Sequence, residues 1–423
     1  GCTGWSYEDV LPAFCRQERN TRLGAPYHGH GGQLIVDDPS LKHSVTQAII
    51  GSAIEAGIPK TEDFNGARQE GVGWYQVTAS QGKRQSAAVC FLRPLEKAEN
   101  LTIFTSCKAQ KVRIENRRAV GIDLTMDDQQ LSLTATKEVI LTAGSFESPK
   151  LLMLSGIGPA ENLRRFGIDV VADRQEVGAN LQDHIGTPVT MKLKKPIGLF
   201  GADNGLKALK HGFDYFVFNK GLLTSNLLEA GACVDTDGGG RPDVQYNLAP
   251  FAPGDPGSSP LEVHGIQVHP MTMRPKSRGL LSLASNDASS PLAFNSQVLR
   301  SEEDLDTLRR GVRLARDILN QKPIADMVTT ELWPGLGVSS LVGSNNLDDA
   351  IRNHARTIFH PAGTCRMGGD RKAVLDPQLR VNEVEGLRVA DCSVMPQLIS
   401  GNTNAPTMMI AERAAEWILA DYQ

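Results

Sequence analysis

A continuous apolar run, EVILTAG at residues 138–144, constrains the fold more than any other segment of the chain. A run of this kind that ends in small residues is typical of a strand buried on both faces of a sheet. Ser145, Ser148 and Pro149 then predict a helix that continues through Leu154. Small residues at a strand-to-helix turn let a ligand approach the backbone closely. We therefore expect an α/β unit with a ligand at this turn.

A second run of this type lies near the C-terminus, where Gly386–Asp391 predicts a buried strand that ends in an acid. After a loop, the segment NTNAPT at residues 402–407 predicts a helix start, with Thr403 or Asn404 as N-cap and Pro406 in the first turn. The free N–H groups and positive dipole of such a start would stabilise negative charge on a flavin. The alternative is an ordinary capped C-terminal helix.

Hydrophobic periodicity and capping signals predict the remaining elements. We expect helices over 6–19, 44–56 with Ser44 as N-cap, 301–320 with Ser301 as N-cap, and 345–356. We expect strands over 101–104, 111–114 and 119–124, the last two paired antiparallel across the turn at 115–118. Clusters of Gly, Pro and Asp between about 184 and 300 indicate a sheet with long loops.

Bulk properties exclude several classes of protein. A chain of 423 residues favours two domains. A net charge of −4 gives no indication of nucleic-acid binding. The sequence contains no run of 18 apolar residues, so it predicts no transmembrane helix. The seven cysteines are scattered and form no CxxC pair, which favours free thiols in a reducing compartment. We therefore expect a cytoplasmic protein, and leave open a peripheral association with the inner membrane.

Two polar residues in unusual surroundings suggest the chemistry. His360 lies in IFHPAGTCRMG and Asn404 in SGNTNAPTMMI. An imidazole can take a proton near neutral pH, and an amide can hold a hydroxyl group without competing for that proton. Together they suggest an alcohol-oxidising centre, provided that a hydride acceptor lies against them. The alternatives are a buried, hydrogen-bonded histidine and a capped helix.

Other familiar motifs are missing from the sequence. The histidines have no metal-ligand spacing, and neither a GxSxG elbow nor a P-loop occurs. The dinucleotide fingerprint GxGxxG is absent: Gly156-Ile157-Gly158 is followed at the sixth position by Glu161. Read from its residues alone, the chain contains half a flavin site at best.

Taken together, these segments resemble the glucose–methanol–choline (GMC) family of FAD-dependent oxidoreductases over essentially the whole chain. Residues 142–159, TAGSFESPKLLMLSGIGP, look like the second signature of the family, and residues 177–184, VGANLQDH, are similar to its segment at the return to the substrate domain. Asp391 and the NTNAPT segment match its C-terminal motif. Residues 221–226 and 401–407 look most like bacterial choline dehydrogenase and alkanol dehydrogenase members.

The resemblance implies a fold and a cofactor. It implies α/β and α+β architecture, in which an FAD-binding α/β domain is interleaved with a substrate domain of antiparallel sheet and helices. The FAD-binding domain would comprise residues 84–183 and 361–423, and the substrate domain residues 1–83 and 184–360. Because the strand–GxGxxG–helix of the family is missing, we expect the FAD-binding domain to be incomplete at its N-terminus. The implied cofactor-binding residues are Val112, Ala143, Gly144, Asp391, Asn402, Pro406 and Thr407.

The resemblance also implies a reaction. His360 would take the hydroxyl proton of a primary alcohol, Asn404 would hold the substrate oxygen, and hydride would pass to flavin N5, with the electrons passed to a quinone or another acceptor. Few aromatic residues (5%) favour aliphatic or aryl alcohols over choline. The alternatives are an alcohol oxidase that uses oxygen, a hydroxynitrile lyase of the same fold, an inactive truncated homologue and a generic binding protein. Whether this chain alone is active stays open.

Overall fold

The computed structural model describes residues 1–252, 254, 261–335 and 345–423. The α-helices are α1 (Tyr7–Gln17), α2 (Ser44–Glu55), α3 (Gly144–Leu154), α4 (Ala160–Arg165), α5 (Gly205–Phe218), α6 (Glu302–Leu319), α7 (Asn345–His354) and α8 (Asn404–Tyr422). A π-helical turn covers Ala88–Leu92, and 3-10 turns cover Arg93–Leu95, Leu222–Thr224, Ile324–Asp326 and Cys392–Val394.

The strands are β1 (Glu18–Asn20), β2 (Leu34–Val36), β3 (Gly71–Trp74), β4 (Ala79–Ser80), β5 (Lys83–Arg84), β6 (Cys107–Glu115), β7 (Arg118–Met126), β8 (Gln129–Thr134), β9 (Val139–Leu141), β10 (Ile157–Gly158), β11 (Ala172–Asp173), β12 (Ile185–Gly186), β13 (Val189–Leu193), β14 (Ala230–Val234), β15 (Val244–Ala249), β16 (Gly265–Thr272), β17 (Leu280–Ser282), β18 (Ala293–Asn295), β19 (Val328–Trp333), β20 (Arg356–Thr357) and β21 (Leu387–Val389).

An eight-stranded sheet forms the centre of one hydrophobic core. Its strands run in the order β19-β13-β16-β15-β14-β3, with β12 and β20 paired beside β16. Neighbouring strands along this path are antiparallel, as the resemblance implied for the substrate domain. Helix α6 covers β16, because most of its apolar residues recur at helical spacing and are buried. The predicted helix at 301–320 is therefore confirmed.

A second core surrounds the α/β unit. Strands β9 and β21 pair in parallel, with Val139 opposite Leu387, and a three-stranded antiparallel sheet, β6-β7-β8, lies beside them. The predicted antiparallel pairing of 111–114 with 119–124 is confirmed. Helix α8 packs against α1, where the rings of Trp5 and Trp417 lie 5.5 Å apart. The parallel pair directs its carboxyl ends towards the candidate site.

Three sequence predictions were wrong in detail. Residues 101–104 form no strand; their apolar side chains are exposed, and a β-type sequence needs a partner strand to become a strand. Strand β9 is short, and Ile140 is 42% exposed, because the described residues cover only one of its faces. The N-cap of α2 is His43 and not Ser44, since the His43 ring accepts the Val45 N–H.

The buried hydrophobic residues separate into two clusters. One cluster contains residues 112–177 and 362–414 together with Ala13, Leu283 and Ala288. The members of the other lie within 45–72, 185–248, 266–268, 299–328 and 347–351. Ala13, Leu283 and Ala288 join the first cluster although they lie outside 84–183 and 361–423. The domain boundaries given above stay a prediction.

Arg388 supplies a first test of what holds the α/β unit together. Its side chain is 2% exposed, pairs with the 5% exposed Glu138 at 2.8 Å, and also donates to the Gln378 carbonyl. Arg388→Met would leave the Glu138 carboxylate buried without its cation. We expect the free energy of unfolding to fall by about 3–5 kcal/mol, measured by urea unfolding.

The matched control for that variant is Arg380→Met. Arg380 pairs with Asp376 at the same 2.8 Å distance, but its side chain is 49% exposed. Loss of this exposed pair is expected to lower the free energy of unfolding by about 1 kcal/mol or less. Equal losses in the two variants would show that burial does not set the strength of the Arg388 pair.

Candidate active site

His360 lies in the segment that follows β20, and its backbone is held from one side. The N–H of His360 donates to Asp183 Oδ1 at 2.9 Å, and the Thr357 hydroxyl donates to the other oxygen of Asp183. The preceding residue, Phe359, adopts a positive φ of 65°, a conformation that a bulky side chain rarely takes. The Phe359 side chain is exposed, whereas the His360 ring contacts two side chains, His184 and Asn402.

The segment that carries His360 pairs with the chain before β12. Gln182 exchanges two backbone hydrogen bonds with Ala362, and the Ile358 N–H donates to the His184 carbonyl at 3.2 Å. The side chain of Gln182 also accepts the Leu398 N–H at 3.1 Å. The two segments are distant in sequence, and this ladder fixes the imidazole relative to the loop at 396–402.

His184 determines which nitrogen of His360 carries the proton. His184 Nε2 lies 3.1 Å from the Met273 carbonyl and 2.9 Å from the Ile399 carbonyl. Both groups only accept, so Nε2 must carry a hydrogen and Nδ1 of the neutral ring must be an acceptor. His184 Nδ1 lies 2.9 Å from His360 Nδ1. His360 must therefore donate from Nδ1, which leaves a lone pair on its Nε2.

Burial keeps both rings neutral. Desolvation lowers the pKa of His360 to about 4. Desolvation, with His360 nearby as a second cause, also lowers the pKa of His184 to about 4. Burial raises the pKa of the Asp183 carboxyl, and the hydrogen bonds from Thr357 and His360 oppose that shift. At neutral pH the His360 Nε2 is thus an unprotonated base.

An amide faces that lone pair, and it belongs to Asn402. Asn402 Nδ2 lies 3.3 Å from His360 Nε2. The orientation of this amide is set by Gln245, whose Nε2 donates to Asn402 Oδ1 at 3.4 Å and to the Tyr75 hydroxyl at 3.0 Å. Gln245 is buried and lies on β15 of the large sheet. A side chain of the sheet therefore orients the amide that meets the base.

Asn404, which the sequence paired with His360, is the first residue of α8, with Thr403 as N-cap. It lies two residues beyond Asn402, and both asparagines are exposed. The structure adds the contact of Asn402 with the imidazole. The role of Asn404 towards a substrate stays a prediction.

The turn after β9 and the turn after β21 meet at one carboxylate. Asp391 Oδ2 accepts the Gly144 N–H at 2.8 Å and the Ser148 hydroxyl at 2.6 Å. Its Oδ1 accepts the Ser393 N–H at 2.8 Å. Asp391 is buried, and Gly144 has a positive φ of 82°, which a residue with a Cβ would rarely adopt. These bonds join the carboxyl ends of the two parallel strands.

Helix α3 connects this turn to the His360 segment. The Ser145 hydroxyl donates to the Pro361 carbonyl at 2.7 Å, and the Thr364 hydroxyl donates to the Ser145 carbonyl at 2.7 Å. Ser145 and Thr364 are buried. The residue after the base is therefore tied to the first turn of α3, and the two parts of the candidate site form one network.

The remaining predicted cofactor residues occupy three settings. Ala143 is exposed beside Gly144 at the carboxyl end of β9. Pro406 and Thr407 lie in the first turn of α8, where the Thr407 hydroxyl donates to the Thr403 carbonyl. Val112 is buried in β6, and its N–H donates to Ser155 Oγ at 2.8 Å. Their contacts with a cofactor stay predictions.

The residues present fit a flavin cofactor at this edge. A Cβ built on Gly144 would meet nothing within 4 Å, so the turn opens onto free space. The start of α8 carries backbone N–H groups and positive dipole character, which suit the electron-rich end of a flavin. The crevice beyond the carboxyl ends of parallel strands is where α/β sheets bind nucleotide ligands. FAD would lie between Gly144, the start of α8 and the His360 imidazole.

A cavity of about 730 Å³ lies next to the site. Its lining includes Asp183, Thr357 and Pro361, which flank His360, together with the rings of Phe146 and Phe294. Those two rings pack edge to face at 6.1 Å. Most of the cavity surface is apolar, although Asp183, Asp304, Arg352 and Arg356 also line it.

Sequence reasoning missed two residues of this site. His184 was noted only as the end of the VGANLQDH segment, and its position directly after Asp183 was the available signal. Gln245 was part of an expected strand, VQYNL at 244–248, in which a polar residue between apolar ones reads as solvent-facing. Its burial at a sheet position facing the site has no local sequence signal.

Comparison with protein families gives a consistent result. Two family models described as GMC oxidoreductase match the chain, one over residues 1–186 and the other over residues 275–411. An oxygen-dependent choline dehydrogenase from Brucella ovis is 38% identical over 422 residues, which is 99% of this chain and 76% of the relative. The protein of that name from Rhizobium rhizogenes is 39% identical with the same coverage.

Solved structures share the fold. Pyridoxine 4-oxidase from Mesorbium loti superposes with a TM-score of 0.86 at 26% identity, covering 99% of this chain and 78% of that one. Formate oxidase from Aspergillus oryzae superposes with a TM-score of 0.89 at 25% identity, covering 99% and 79%. The predicted mixed fold, with an FAD-binding part and a substrate part, is confirmed.

The Asp391 carboxylate provides a test of the cofactor edge. Asp391→Ala would leave the Gly144 N–H, the Ser148 hydroxyl and the Ser393 N–H without an acceptor. We expect a loss of about 2–5 kcal/mol in the free energy of unfolding, because each buried unpaired donor costs about 1–3 kcal/mol. We also expect less FAD to copurify, measured as the ratio of flavin to protein absorbance.

Asp391→Asn is the graded control, because it keeps one acceptor oxygen. Its loss of stability should lie between those of the wild type and of Asp391→Ala. If both variants keep the wild-type stability and flavin content, the carboxylate does not join the two turns in the way described.

Proposed function

The chain belongs to the GMC oxidoreductase family of FAD-dependent enzymes that act on CH–OH donors, and we propose that it oxidises a primary alcohol to an aldehyde with His360 as the base. The observation that carries the proposal is the 2.9 Å contact between the Nδ1 atoms of His184 and His360. Because His184 Nδ1 accepts in this contact, the ring proton of neutral His360 is expected on Nδ1. The other nitrogen is free to accept a hydroxyl proton.

Asn404 stays the predicted holder of the substrate oxygen, and we propose Asn402 as a second one. The Asn402 amide N–H points at the His360 lone pair at 3.3 Å, a long hydrogen bond that an incoming hydroxyl group could replace. The oxygen of the substrate would then accept from Asn402 and donate to His360 Nε2. Gln245 keeps the amide in this orientation. Bound FAD supplies the hydride acceptor.

We further propose that electrons leave through a quinone or a related carrier. A second candidate acceptor is oxygen, which is favoured by the names of the similar proteins: pyridoxine 4-oxidase, formate oxidase and an oxygen-dependent choline dehydrogenase. Stopped-flow reoxidation of the reduced enzyme by air separates the two. Slow reoxidation supports the carrier, and rapid release of hydrogen peroxide supports oxygen.

The alcohol itself is best identified with a panel that includes choline. Two relatives of this chain that are named choline dehydrogenases are 38–39% identical to it. The neighbouring cavity is mainly apolar, which favours an aliphatic or aryl alcohol. Reduction of a redox dye would rank the alcohols by kcat/KM. A choline value above all neutral alcohols would overturn the preference for an uncharged substrate.

The role of His360 predicts the outcome of its removal. His360→Ala should lower the rate of flavin reduction by alcohol about 10²–10⁴-fold, the usual contribution of a positioned base. The control is His264→Ala, because the half-buried His264 binds the Gly198 carbonyl outside this network. If His360→Ala lowers the rate of flavin reduction by less than about tenfold, the result would count against His360 as the base.

The low pKa of His360 predicts the pH dependence of the same step. With a pKa of about 4, the ring is neutral above that pH and protonated below it. The rate of flavin reduction should therefore persist from neutral pH to about pH 5 and fall as the pH passes down through about 4. A rate that is lost near the ordinary histidine pKa would show that burial does not control this base.

His184 is proposed as a positioning residue that acts through His360. His184→Phe removes the acceptor for the Nδ1 proton, so that the proton can move to Nε2 and block the base. We expect kcat to fall about 10²-fold with little change in KM. His184→Asn restores an acceptor at the Nδ1 position and should recover most of the loss. Similar kcat values in the wild type and His184→Phe would refute the role.

A further inference from the structure

Helix α5 carries an apolar stripe that no other described part of the chain covers. None of its residues, from Gly205 to Phe218, is buried. The half-buried positions Ala208, His211 and Tyr215 recur at helical spacing and mark the inner face. The outer face exposes five large apolar side chains: Leu206 (85%), Leu209 (71%), Phe213 (58%), Phe216 (82%) and Val217 (55%). We call these five residues the α5 stripe.

The stripe extends into the turn that follows the helix. Asn219 ends α5 in the left-handed conformation, and the next segment folds back so that Gly221 lies against Asp214. The 3-10 turn after Gly221 exposes Leu223 (52%). A continuous apolar patch of this kind is uncommon on a soluble monomer, and such patches mark interaction sites.

Basic residues lie along one edge of the stripe and at its C-terminal end. Lys207 and Lys210 lie on the helix beside it, and Lys220 follows the cap; all three are exposed. The β4–β5 hairpin touches the same region, since a Cβ on its Gly82 would come within 2.6 Å of Thr224 Cγ2. That hairpin exposes Lys83 and Arg84. The acidic residues of the segment are Asp203, exposed before the helix, and Asp214, half-buried against Gly221.

We propose that the α5 stripe docks this protein on an anionic phospholipid surface, with the helix lying in the plane of the interface. An apolar face with flanking lysines is the pattern of helices that lie on membranes. At about 1.5 Å per residue, the 14 residues of α5 extend for about 21 Å along such a surface. None of the helices in the described part of the chain is long and apolar enough to cross a bilayer.

Charge favours this occupant over a second copy of the chain. In a two-fold contact through the stripe, both copies would bring the same basic edge, with Lys207, Lys210 and Lys220 against only Asp203 and Asp214. Like charges at the edge of an interface oppose association, whereas anionic headgroups attract them. An anionic lipid surface is therefore complementary in charge to the basic edge of the stripe, whereas a second copy is not.

Co-sedimentation of the full chain with vesicles tests the proposal. The vesicles contain phosphatidylcholine and phosphatidylglycerol in equal parts, or phosphatidylcholine alone. We expect the protein to sediment with the anionic vesicles and to be released by salt. Phe213→Glu/Phe216→Glu should weaken the partition at least about 100-fold, because two buried aromatic side chains are lost. Lys207→Gln/Lys210→Gln should weaken it roughly 25-fold on anionic vesicles at low salt.

The matched control is Leu419→Glu, which adds a charge at a 60% exposed leucine of α8. It should bind vesicles like the wild type, and a reduction equal to that of the double phenylalanine variant would overturn the site. Wild-type protein that stays in the supernatant also overturns the proposal. Sedimentation velocity distinguishes the second copy: a wild-type dimer made monomeric by Phe213→Glu/Phe216→Glu, without vesicle binding, would show that the stripe is a subunit interface.

Discussion

The carboxylate of Asp391 is the junction on which the rest of the site depends. It joins the turn after β9 to the turn after β21 through one buried group, and both turns lie at the carboxyl edge of the parallel pair. From there, Ser145 reaches the Pro361 carbonyl and fixes the segment that carries the base. A buried carboxylate with several donors is stable only if all of them stay in place, so the geometry is held cooperatively.

The electrostatics of the base follow from backbone groups and not from a charged partner. Asp183 contacts the His360 backbone N–H, whereas the ring itself faces a neutral histidine. Two carbonyls fix the proton of that histidine, and a hydrogen bond then fixes the proton of the next. In many histidine sites a carboxylate orients the ring and raises its basicity. Here the ring is oriented without a counter-ion, which is consistent with the low pKa of His360.

The sequence predicted the parts of the fold that depend on local patterns. Helix α6 and the β6–β7 hairpin follow from periodicity and turn residues, and Gly144 and Asp391 were identified at strand ends. The strand expected at 101–104 was wrong because strand formation depends on a partner that a local pattern does not show. Asn404 was paired with His360 from its surroundings and from the family resemblance, and its role stays a prediction; the contact of Asn402 with the imidazole has no local sequence signal. His184 and Gln245 were missed because each acts across sequence separations that no local motif records.

The two carbonyls that bind His184 come from Met273 and Ile399, and both meet the same nitrogen, Nε2. The protonation of the His360 ring is therefore set through His184, by backbone groups. Backbone carbonyls keep their chemistry whatever side chain their residue carries. Side chains around the imidazole can therefore vary during evolution while this proton arrangement stays the same.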